Sequence, residues 1–249
     1  MGRWLEGPGD PYARGTGGHA VGYRPSRWSA ISPWPSRLAN RSRTDVVTVT
    51  RAKVVEAVRD AAAREAWAEA LVASYVWGQG TTSYGPHRLK EILAQPSVPD
   101  TLAEAARAVQ AHDAVAAYRL LDGAIISLGP AFFTKFLYFV DLALASQAGT
   151  GPLALILDRR VSRVLRAHAT RVGLDAGLQS AADVAAWIWS DIGWTPHRYD
   201  VYLLWMTAAT EQLASSRLGW PACHADVLEL ALFSGAWEPS SGEDTTGTM

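Results

Sequence analysis

The chain has 249 residues, of which 49% are hydrophobic, so it is long enough to bury a sizeable core in one mid-sized domain. Its net charge of −1 excludes a protein that binds nucleic acid through overall positive charge, although a local basic face is compatible with it. The single cysteine, Cys223, excludes an intrachain disulfide and a cysteine-based zinc site, which fits a reducing cytoplasm.

Charge is distributed unevenly along the chain. The first 53 residues contain nine Lys or Arg and three Asp or Glu, whereas five acids and no Lys or Arg follow from Ala222 onward. The first part of the chain can therefore form a basic face that meets a polyanion.

The most apolar stretch, residues 124–145, is long enough to span a bilayer. Gly129-Pro130, Lys135 and Asp141 interrupt it, and each charge at membrane depth costs about 2.5–3.5 kcal/mol. The start of the chain, MGRWLEGPGDPYARG, lacks the apolar core of a signal peptide. We therefore expect a buried core helix in a cytoplasmic protein that has no membrane partner.

Three regions follow one another along the chain. Residues 1–45 are rich in Gly, Pro, Arg, Ser and Trp, which predicts an irregular N-terminal arm with at most a few short extended pieces. Residues 46–236 carry helical patterns between turn signals and predict one helical domain. Residues 237–249 predict a flexible acidic tail. Because no alternating β pattern of any length and no internal repeat occurs, we predict an all-α protein.

Regular structure is expected to begin at Thr50, a suitable N-cap for the stretch TVTRAKVVEAVRDAAAREAWAEALVASYVW. A break is expected near Asp60, and LKEILAQ predicts a short helix after the polar loop WGQGTTSYGPHR. Asp100 or Thr101 is then expected to cap the first of two helices in LAEAARAVQAHDAVAAYRLLDGAIISL.

The second half of the chain has equally clear helix signals. A turn at Gly129-Pro130 precedes the predicted helix AFFTKFLYFVDLALAS, and Asp158 is expected to cap RRVSRVLRAHATRVG after the apolar run LALIL. SAADVAAWIWSDIG predicts a helix, and WTPHRYDVYLLWMTAATEQLASS predicts a long one with Pro196 in its first turn, where proline is favoured. PACHADVLELALFSG predicts the last helix.

Lys135 in LGPAFFTKFLYFV is the first candidate for chemistry. It is expected in the first turn of its helix, with Phe132, Phe136 and Phe139 within one helical turn. An apolar surround disfavours the ammonium form and lowers the pKa of a lysine, which makes it a nucleophile or a Schiff-base former. The alternative is a lysine that extends its charge to water at a helix end.

Asp158 in LILDRRVSRVLRAHATR is the second candidate. Arg159, Arg163 and Arg166 follow it at positions that form one stripe on the helix. In a functional site the carboxylate would lie at the edge, with the helix amides and the arginines facing phosphate. The alternative is an N-cap followed by a solvated basic face.

The loop WGQGTTSYGPHRL is the third candidate, because it is rich in side chains that form hydrogen bonds. The alternative is an ordinary polar loop. Metal ligation is not expected, since the pairs Cys223/His224 and His112/Asp113 have no second matched pair at ligand spacing.

Taken together, these stretches resemble the helix-hairpin-helix DNA glycosylases, specifically the 8-oxoguanine DNA glycosylase (OGG-fold) branch, over about residues 50–235. Members carry a hairpin of the type L-P-G-[VI]-G-x-K and then an aspartate in [VI]-D-x-H-V-x-R-[VI]. The segment LDRRVSRV matches at Asp158, Val161, Arg163 and Val164. VASYVWGQGTT is similar to the family's ISQQ loop, and WTPHRYDVYLLW is similar to its closing W-x-P-Y-R-x-x-A helix.

The resemblance implies a DNA glycosylase and AP lyase. It would flip a modified base, of the oxidised-purine type, out of double-stranded DNA and attack C1′ with Lys135 to form a Schiff base. Asp158 would stabilise the positive charge that develops on the sugar. No metal or redox cofactor would be needed, and a structural monovalent cation at the hairpin is compatible with the family. We expect a monomer, and the Ala-, Arg- and Trp-rich composition indicates a bacterium, where the protein would be nucleoid-associated.

The same resemblance implies two further sets of residues. The DNA-binding set is Gln79, Thr81, Thr82, Tyr84, His87, Arg88, Gly129, Arg159 and Arg163, with Gln79 and Tyr84 as the wedge that replaces the flipped base. The base-pocket set is Phe139, Trp194, His197, Tyr202, Trp205 and Met206.

Two alternatives remain at this stage. The protein could keep the glycosylase fold and bind modified or foreign DNA in a defence role without cutting it, as its longer hairpin and neutral net charge would allow. It could also be a helical interaction protein of unrelated ancestry. An accidental order of motifs would scatter Lys135 and Asp158, whereas a glycosylase must place both in one groove.

Overall fold

The computed structural model describes residues 1–145, 153–216, 219–222 and 224–236. Helices dominate, which confirms the expected all-α fold. The helices are α1 (Gly2–Leu5), α2 (Arg51–Ala62), α3 (Trp67–Gln79), α4 (Gly85–Leu93), α5 (Val98–Gln110), α6 (Ala114–Leu121), α7 (Pro130–Leu144), α8 (Arg159–Asp175), α9 (Ala181–Ile188), α10 (Pro196–Ala214) and α11 (Ala225–Phe233). Among these helices, none combines the length and the apolar character that a membrane span requires.

A small antiparallel sheet precedes the main helices. Strand β1 (Ala20–Tyr23) pairs with strand β2 (Val47–Thr50) in the register that sets Tyr23 opposite Val47. Each strand has four residues, which is too short to give a recognisable alternating pattern. Thr50 ends β2 and accepts a hydrogen bond from the backbone N–H of Lys53 at 3.2 Å, so the predicted cap of α2 is confirmed.

The N-terminal region packs against the helices. Trp4, Tyr23, Trp28, Ile31 and Leu38 are buried and belong to the same hydrophobic core as the helical part of the chain. Large aromatic and aliphatic side chains of this kind supply most of the stabilisation by burial. The boundary predicted at residue 45 stays a prediction, and the predicted tail, residues 237–249, lies outside the described residues.

Helices α3 and α7 lie at the centre of the core, and both are apolar on nearly all sides, as buried helices are. Aromatic side chains of the two helices pack against each other. Tyr75 stacks on Phe132 with ring centres 4.4 Å apart, and Trp77 meets Phe139 edge to face at 5.3 Å. This packing brings the end of α3 against the first two turns of α7.

The predicted start of α5 differs from the structure. Helix α5 begins at Val98, with Ser97 as its N-cap, and not after Asp100 or Thr101. The reason is that proline is tolerated in the first turn of a helix, so Pro99 does not delay its start.

Candidate active site

Lys135 is the sixth residue of α7, and so it lies in the second turn of the helix rather than in the first. The difference arises because Gly129 is the N-cap and Pro130 already occupies the first helical position. The Lys135 side chain is only 8% exposed, so it does not extend its charge into water. Its Nζ donates a hydrogen bond to the carbonyl of Ala131 at 2.6 Å and lies 5.7 Å from the centre of the Phe132 ring.

The setting of Lys135 favours the neutral amine. Burial lowers the pKa of Lys135 from its ordinary value, and the negative charge of Asp158 opposes part of that shift. The apolar surround predicted from the sequence is therefore present. A lysine held this way supplies a larger fraction of the nucleophilic amine at neutral pH than a surface lysine does.

Asp158 caps α8, as the sequence predicted. Its Oδ1 accepts hydrogen bonds from the backbone N–H groups of Arg160 at 2.9 Å and Val161 at 3.0 Å. Within the described residues, Oδ2 has no hydrogen-bond partner. The helix therefore fixes the carboxylate through one oxygen and leaves the other available for a ligand.

Lys135 and Asp158 line the same cavity, which has a volume of about 220 Å³ and is called here the lysine cavity. Gln79, from the third stretch singled out in the sequence, lines it as well. Three separate sequence motifs therefore meet at one place. The remaining lining residues are His19, Val21, Arg51, Trp77, Gly78, Gly80, Ile156, Glu229 and Phe233.

Arg51 is buried and lines the cavity together with His19 and Glu229, and these three residues are called here the second wall. They are absent from the sequence prediction. Arg51 donates hydrogen bonds to Glu229 Oε2 and to the Tyr138 hydroxyl, both at 2.9 Å, and to His19 Nδ1 at 3.3 Å. Burial raises the pKa of Glu229, and the adjacent guanidinium opposes that shift. An acid inside the apolar run VLELAL is the same kind of signal as Lys135 in FFTKFLYF, and it could have identified this pair.

His19 completes this wall next to Trp77, with the two ring centres 5.5 Å apart and edge to face. Burial and the charge of Arg51 lower the pKa of His19 to about 4, so the ring is neutral near pH 7. Since Nδ1 accepts a hydrogen bond from Arg51, the neutral ring carries its proton on Nε2. His19 therefore offers the cavity a hydrogen-bond donor without a charge.

Gly78 allows α3 to approach the lysine. A Cβ atom at this position would lie 2.7 Å from Cδ of Lys135 and 3.2 Å from its Cε. Only glycine fits there without moving the aliphatic stem of the lysine. The sequence predicts a loop that begins at Trp77, whereas α3 continues to Gln79 and includes Gly78. The close contact between the two helices was not predicted.

A second groove, called here the hairpin groove, adjoins the lysine cavity and shares Asp158 with it. It has a volume of about 290 Å³. Three of the predicted DNA-binding residues, Arg88, Gly129 and Arg159, line it, together with Trp194 from the predicted base pocket. The N-terminal residues of α7 and α8 line this groove beside the two arginine side chains, and the acid Asp191 lines it as well.

The other predicted DNA-binding residues lie outside both depressions. Thr81, Thr82, Tyr84 and His87 are exposed around the start of α4, where Tyr84 stacks on His87 with ring centres 5.6 Å apart. Arg163 forms an ion pair with Asp191 at 2.7 Å, and Arg166 contacts the same carboxylate at 3.1 Å. Asp191 therefore neutralises part of the predicted basic stripe.

The residues predicted to form the base pocket do not line the lysine cavity. Phe139, Tyr202 and Met206 are buried in the core, and the Tyr202 hydroxyl donates a hydrogen bond to the carbonyl of Ile156. The physical reason is that α10 presents its tyrosines to the backbone before Asp158 instead of to the cavity. His197 is exposed, and Trp205 packs near Trp189 and His168. The aromatic residues of the cavity are Trp77 and Phe233.

The described residues contain no group of three or more His, Cys, Asp or Glu side chains placed to hold a metal ion. The groups in the lysine cavity that can do chemistry include a buried amine and carboxylates.

Comparison with known proteins gives one result that agrees with this geometry. The family described as "Putative 8-oxoguanine DNA glycosylase OGG-like protein" matches residues 14–233, which is most of the chain and includes every residue that lines the lysine cavity. Neither the curated proteins nor the solved structures contain a match to this chain. Because the family match extends over well more than half of the sequence, the chain belongs to the OGG-like family that this description names.

Proposed function

We propose that this protein is a DNA N-glycosylase and AP lyase that removes an oxidised purine-type base from double-stranded DNA. The observation that carries the proposal is that Lys135 and Asp158 line one cavity, with the lysine buried and its pKa lowered. A nucleophile with a depressed pKa beside a carboxylate is the arrangement that attack on a sugar carbon requires.

In the proposed reaction, the neutral amine of Lys135 attacks C1′ of the flipped nucleotide. The bond between C1′ and the base breaks, and the base leaves with the electron pair and then takes up a proton. Nζ releases one proton, the C1′–O4′ bond breaks with a proton going to O4′, and this ring opening gives a protonated Schiff base between Nζ and C1′. Loss of a proton from C2′ then breaks the C3′–O bond and expels the 3′ phosphate. Asp158 stabilises the positive charge on the sugar through its carboxylate and helps to orient or deprotonate the lysine.

The lysine cavity is the proposed site of the flipped base. Trp77 and Phe233 supply flat apolar surfaces for stacking, and the His19 N–H and the Glu229 carboxylate supply polar contacts. Gln79, which lines the cavity and is partly exposed, would follow the base out of the helix and fill the gap.

The hairpin groove is the proposed site of the DNA backbone. Arg88 and Arg159 would contact phosphates, and the backbone around Gly129 would hold a further one, with or without a bound monovalent cation. The chemistry proposed for Lys135 and Asp158 uses no redox or metal cofactor.

A DNA-binding protein of the same fold that does not cut is the second candidate. One observation favours it: Nζ of Lys135 donates a 2.6 Å hydrogen bond to the Ala131 carbonyl, which holds the amine against its own helix. In that case the lysine cavity would hold a modified base of foreign DNA without breaking a bond.

Borohydride trapping separates the two candidates, and the sequence makes the result easy to assign. Of the 23 Lys and Arg residues only three are lysines, namely Lys53, Lys90 and Lys135. Duplexes that carry 8-oxoguanine, an abasic site or no lesion would be incubated with the wild type, Lys135→Ala, Asp158→Asn and Lys53→Ala. Lys53 is a matched control, because it is an exposed lysine paired with Glu56 on α2.

The proposal predicts a covalent adduct on damaged duplex that requires Lys135, is strongly reduced in Asp158→Asn and is unchanged in Lys53→Ala. An adduct that survives Lys135→Ala would contradict the assigned nucleophile. A folded wild type that shifts DNA but forms no adduct on any duplex would favour the binding protein.

A further inference from the structure

The segment 153–157, which leads into Asp158, has no regular secondary structure, and no strand pairs with it among the residues that the structure describes. Side chains of α7 and α10 satisfy its backbone instead. Asp141 Oδ2 accepts hydrogen bonds from the first two N–H groups, at 2.6 and 2.8 Å. The Tyr199 hydroxyl accepts from the N–H of Leu155 at 3.1 Å and donates to its carbonyl at 2.9 Å, and Tyr202 donates to the next carbonyl at 2.7 Å.

Thr134 makes the last of these contacts, and it is the one nearest the chemistry. Its Oγ1 accepts a hydrogen bond from the N–H of Leu157 at 3.1 Å. Its proton goes to the Pro130 carbonyl at 2.7 Å, with the Leu157 carbonyl at 3.3 Å as a second acceptor. The residue before Lys135 is therefore bonded to the residue before Asp158.

We propose that Thr134 is a positioning residue that fixes the Asp158 carboxylate relative to the Lys135 amine. The inference rests on the proposed function, because it assigns those two groups to the reaction. Thr134 is completely buried, so no water can replace its hydroxyl as the partner of the Leu157 N–H. Since reacting groups must be held in place within a fraction of an ångström, loss of this single bond displaces Asp158 enough to slow the reaction.

The reach to Leu157 distinguishes Thr134 from an ordinary helical threonine. A threonine in a helix commonly bonds back to the carbonyl four residues earlier, as Thr134 does to Pro130. Thr210 in α10 does the same to Met206 at 2.8 Å and is also buried. Thr210 therefore provides a matched control that has the back-bond without the contact to the catalytic segment.

The test is the single-turnover rate of the borohydride-trapped adduct on duplex with an abasic site, for the wild type, Thr134→Val, Thr134→Ser and Thr210→Val. We expect Thr134→Val to react about 10- to 100-fold more slowly, with DNA affinity within about threefold of the wild type. Thr134→Ser restores the hydroxyl and should react within about threefold of the wild type, as should Thr210→Val. A Thr134→Val rate equal to the wild type would overturn the proposal, and so would an equal loss in Thr210→Val.

The pH profile gives a readout that a merely structural role would not change. Asp158 holds the pKa of Lys135 up, so a displaced carboxylate lets the midpoint of the rate profile fall to lower pH in Thr134→Val. An unchanged midpoint together with a lower rate would show that Asp158 has not moved, and the positioning role would be rejected.

Failure of the proposed function would look different. If the wild type forms no adduct on any DNA, the assigned reaction is wrong, and amide hydrogen exchange then tests the contact itself. Exchange at Leu157 and over the first turn of α8 should accelerate in Thr134→Val and not in Thr210→Val. Equal protection in the two variants would show that Thr134 does not hold the segment.

Discussion

The two walls of the lysine cavity are built in different ways. One wall carries Lys135 and Asp158, which lie 23 positions apart and belong to motifs that are visible in the sequence. The second wall carries His19 from the N-terminal region, Arg51 from α2 and Glu229 from α11. The first wall holds the groups proposed for the reaction, and the second holds the groups that would meet the base.

This comparison shows which parts of the chain hold the proposed reacting groups and which parts hold the groups that would contact the base. A reacting pair must keep its mutual geometry, and here it is held by the N-cap of α8 and by contacts of α7 and α10 with the segment before Asp158. The second wall contains a buried ion pair between Arg51 and Glu229, which lie far apart in the sequence. The two walls are nevertheless coupled, because the charge of Glu229 raises the pKa of Lys135 and the charge of Arg51 lowers it.

The largest expected effect comes from removing the buried ion pair between Arg51 and Glu229. Arg51→Leu leaves Glu229 buried without its partner, which should lower the free energy of unfolding by about 3–5 kcal/mol, as measured by urea denaturation. The matched control is Arg37→Leu, because Arg37 pairs with Asp60 on the surface and should contribute less than about 1 kcal/mol. Similar losses in both variants would mean that the buried pair has no special role.

A second prediction concerns the first wall and the pH dependence of the proposed reaction. Because burial lowers the pKa of Lys135, the single-turnover rate should rise with pH and level off at a midpoint below the ordinary lysine value of 10.5. Asp158→Asn should lower the maximum rate by about 100-fold, since it removes charge stabilisation of the sugar. It should also move the midpoint further down, because the carboxylate that raises the pKa is lost. A midpoint that moves up would contradict the electrostatic coupling.

The same contrast explains how much of the site could be predicted. Lys135 and Asp158 stood out because a charge in an apolar run and an aspartate before a basic helix are local patterns. The stretch around Trp194, Tyr202 and Met206 looked equally suited to a pocket, because a rich aromatic composition does not reveal which face of a helix is buried. Tyr202 turned out to bond the backbone before Asp158, a contact that depends on tertiary packing alone.

The N-terminal region also makes contacts with distant parts of the chain that its sequence does not reveal. Its composition predicts irregular structure, and most of it is indeed short turns. Composition does not show that Tyr23 and Trp28 join the core or that His19 lines the cavity, because those contacts are made with helices far along the chain.

A third prediction tests the close contact between Gly78 and Lys135. Gly78→Ala would place a methyl group 2.7 Å from Cδ of Lys135, so the lysine must shift, and the trapping rate should fall about 10-fold. Alanine normally stabilises a helix relative to glycine by about 1 kcal/mol, so a melting temperature at or below the wild type would confirm the clash. Gly18→Ala is the control, because its added methyl group meets open space and Gly18 lies outside both depressions. Full activity in Gly78→Ala would show that the lysine adapts freely.

The smallest expected effect belongs to His19 and is confined to acid pH. The pKa of His19 is about 4 in the folded protein and 6.5 in its ordinary state, so between these values the unfolded chain binds a proton that the folded chain does not. The free energy of unfolding should therefore fall as pH drops through that window, by about 1 kcal/mol after allowance for solvent screening of the partly exposed ring.

His19→Gln lacks the titrating group and should lose less stability between pH 7 and pH 4.5 than the wild type, as measured by urea denaturation at both values. His87→Gln removes an exposed histidine of α4 and should follow the wild type. If His19→Gln also follows the wild type, burial and the charge of Arg51 do not hold the ring neutral, and the uncharged donor assigned to this wall would have to be abandoned.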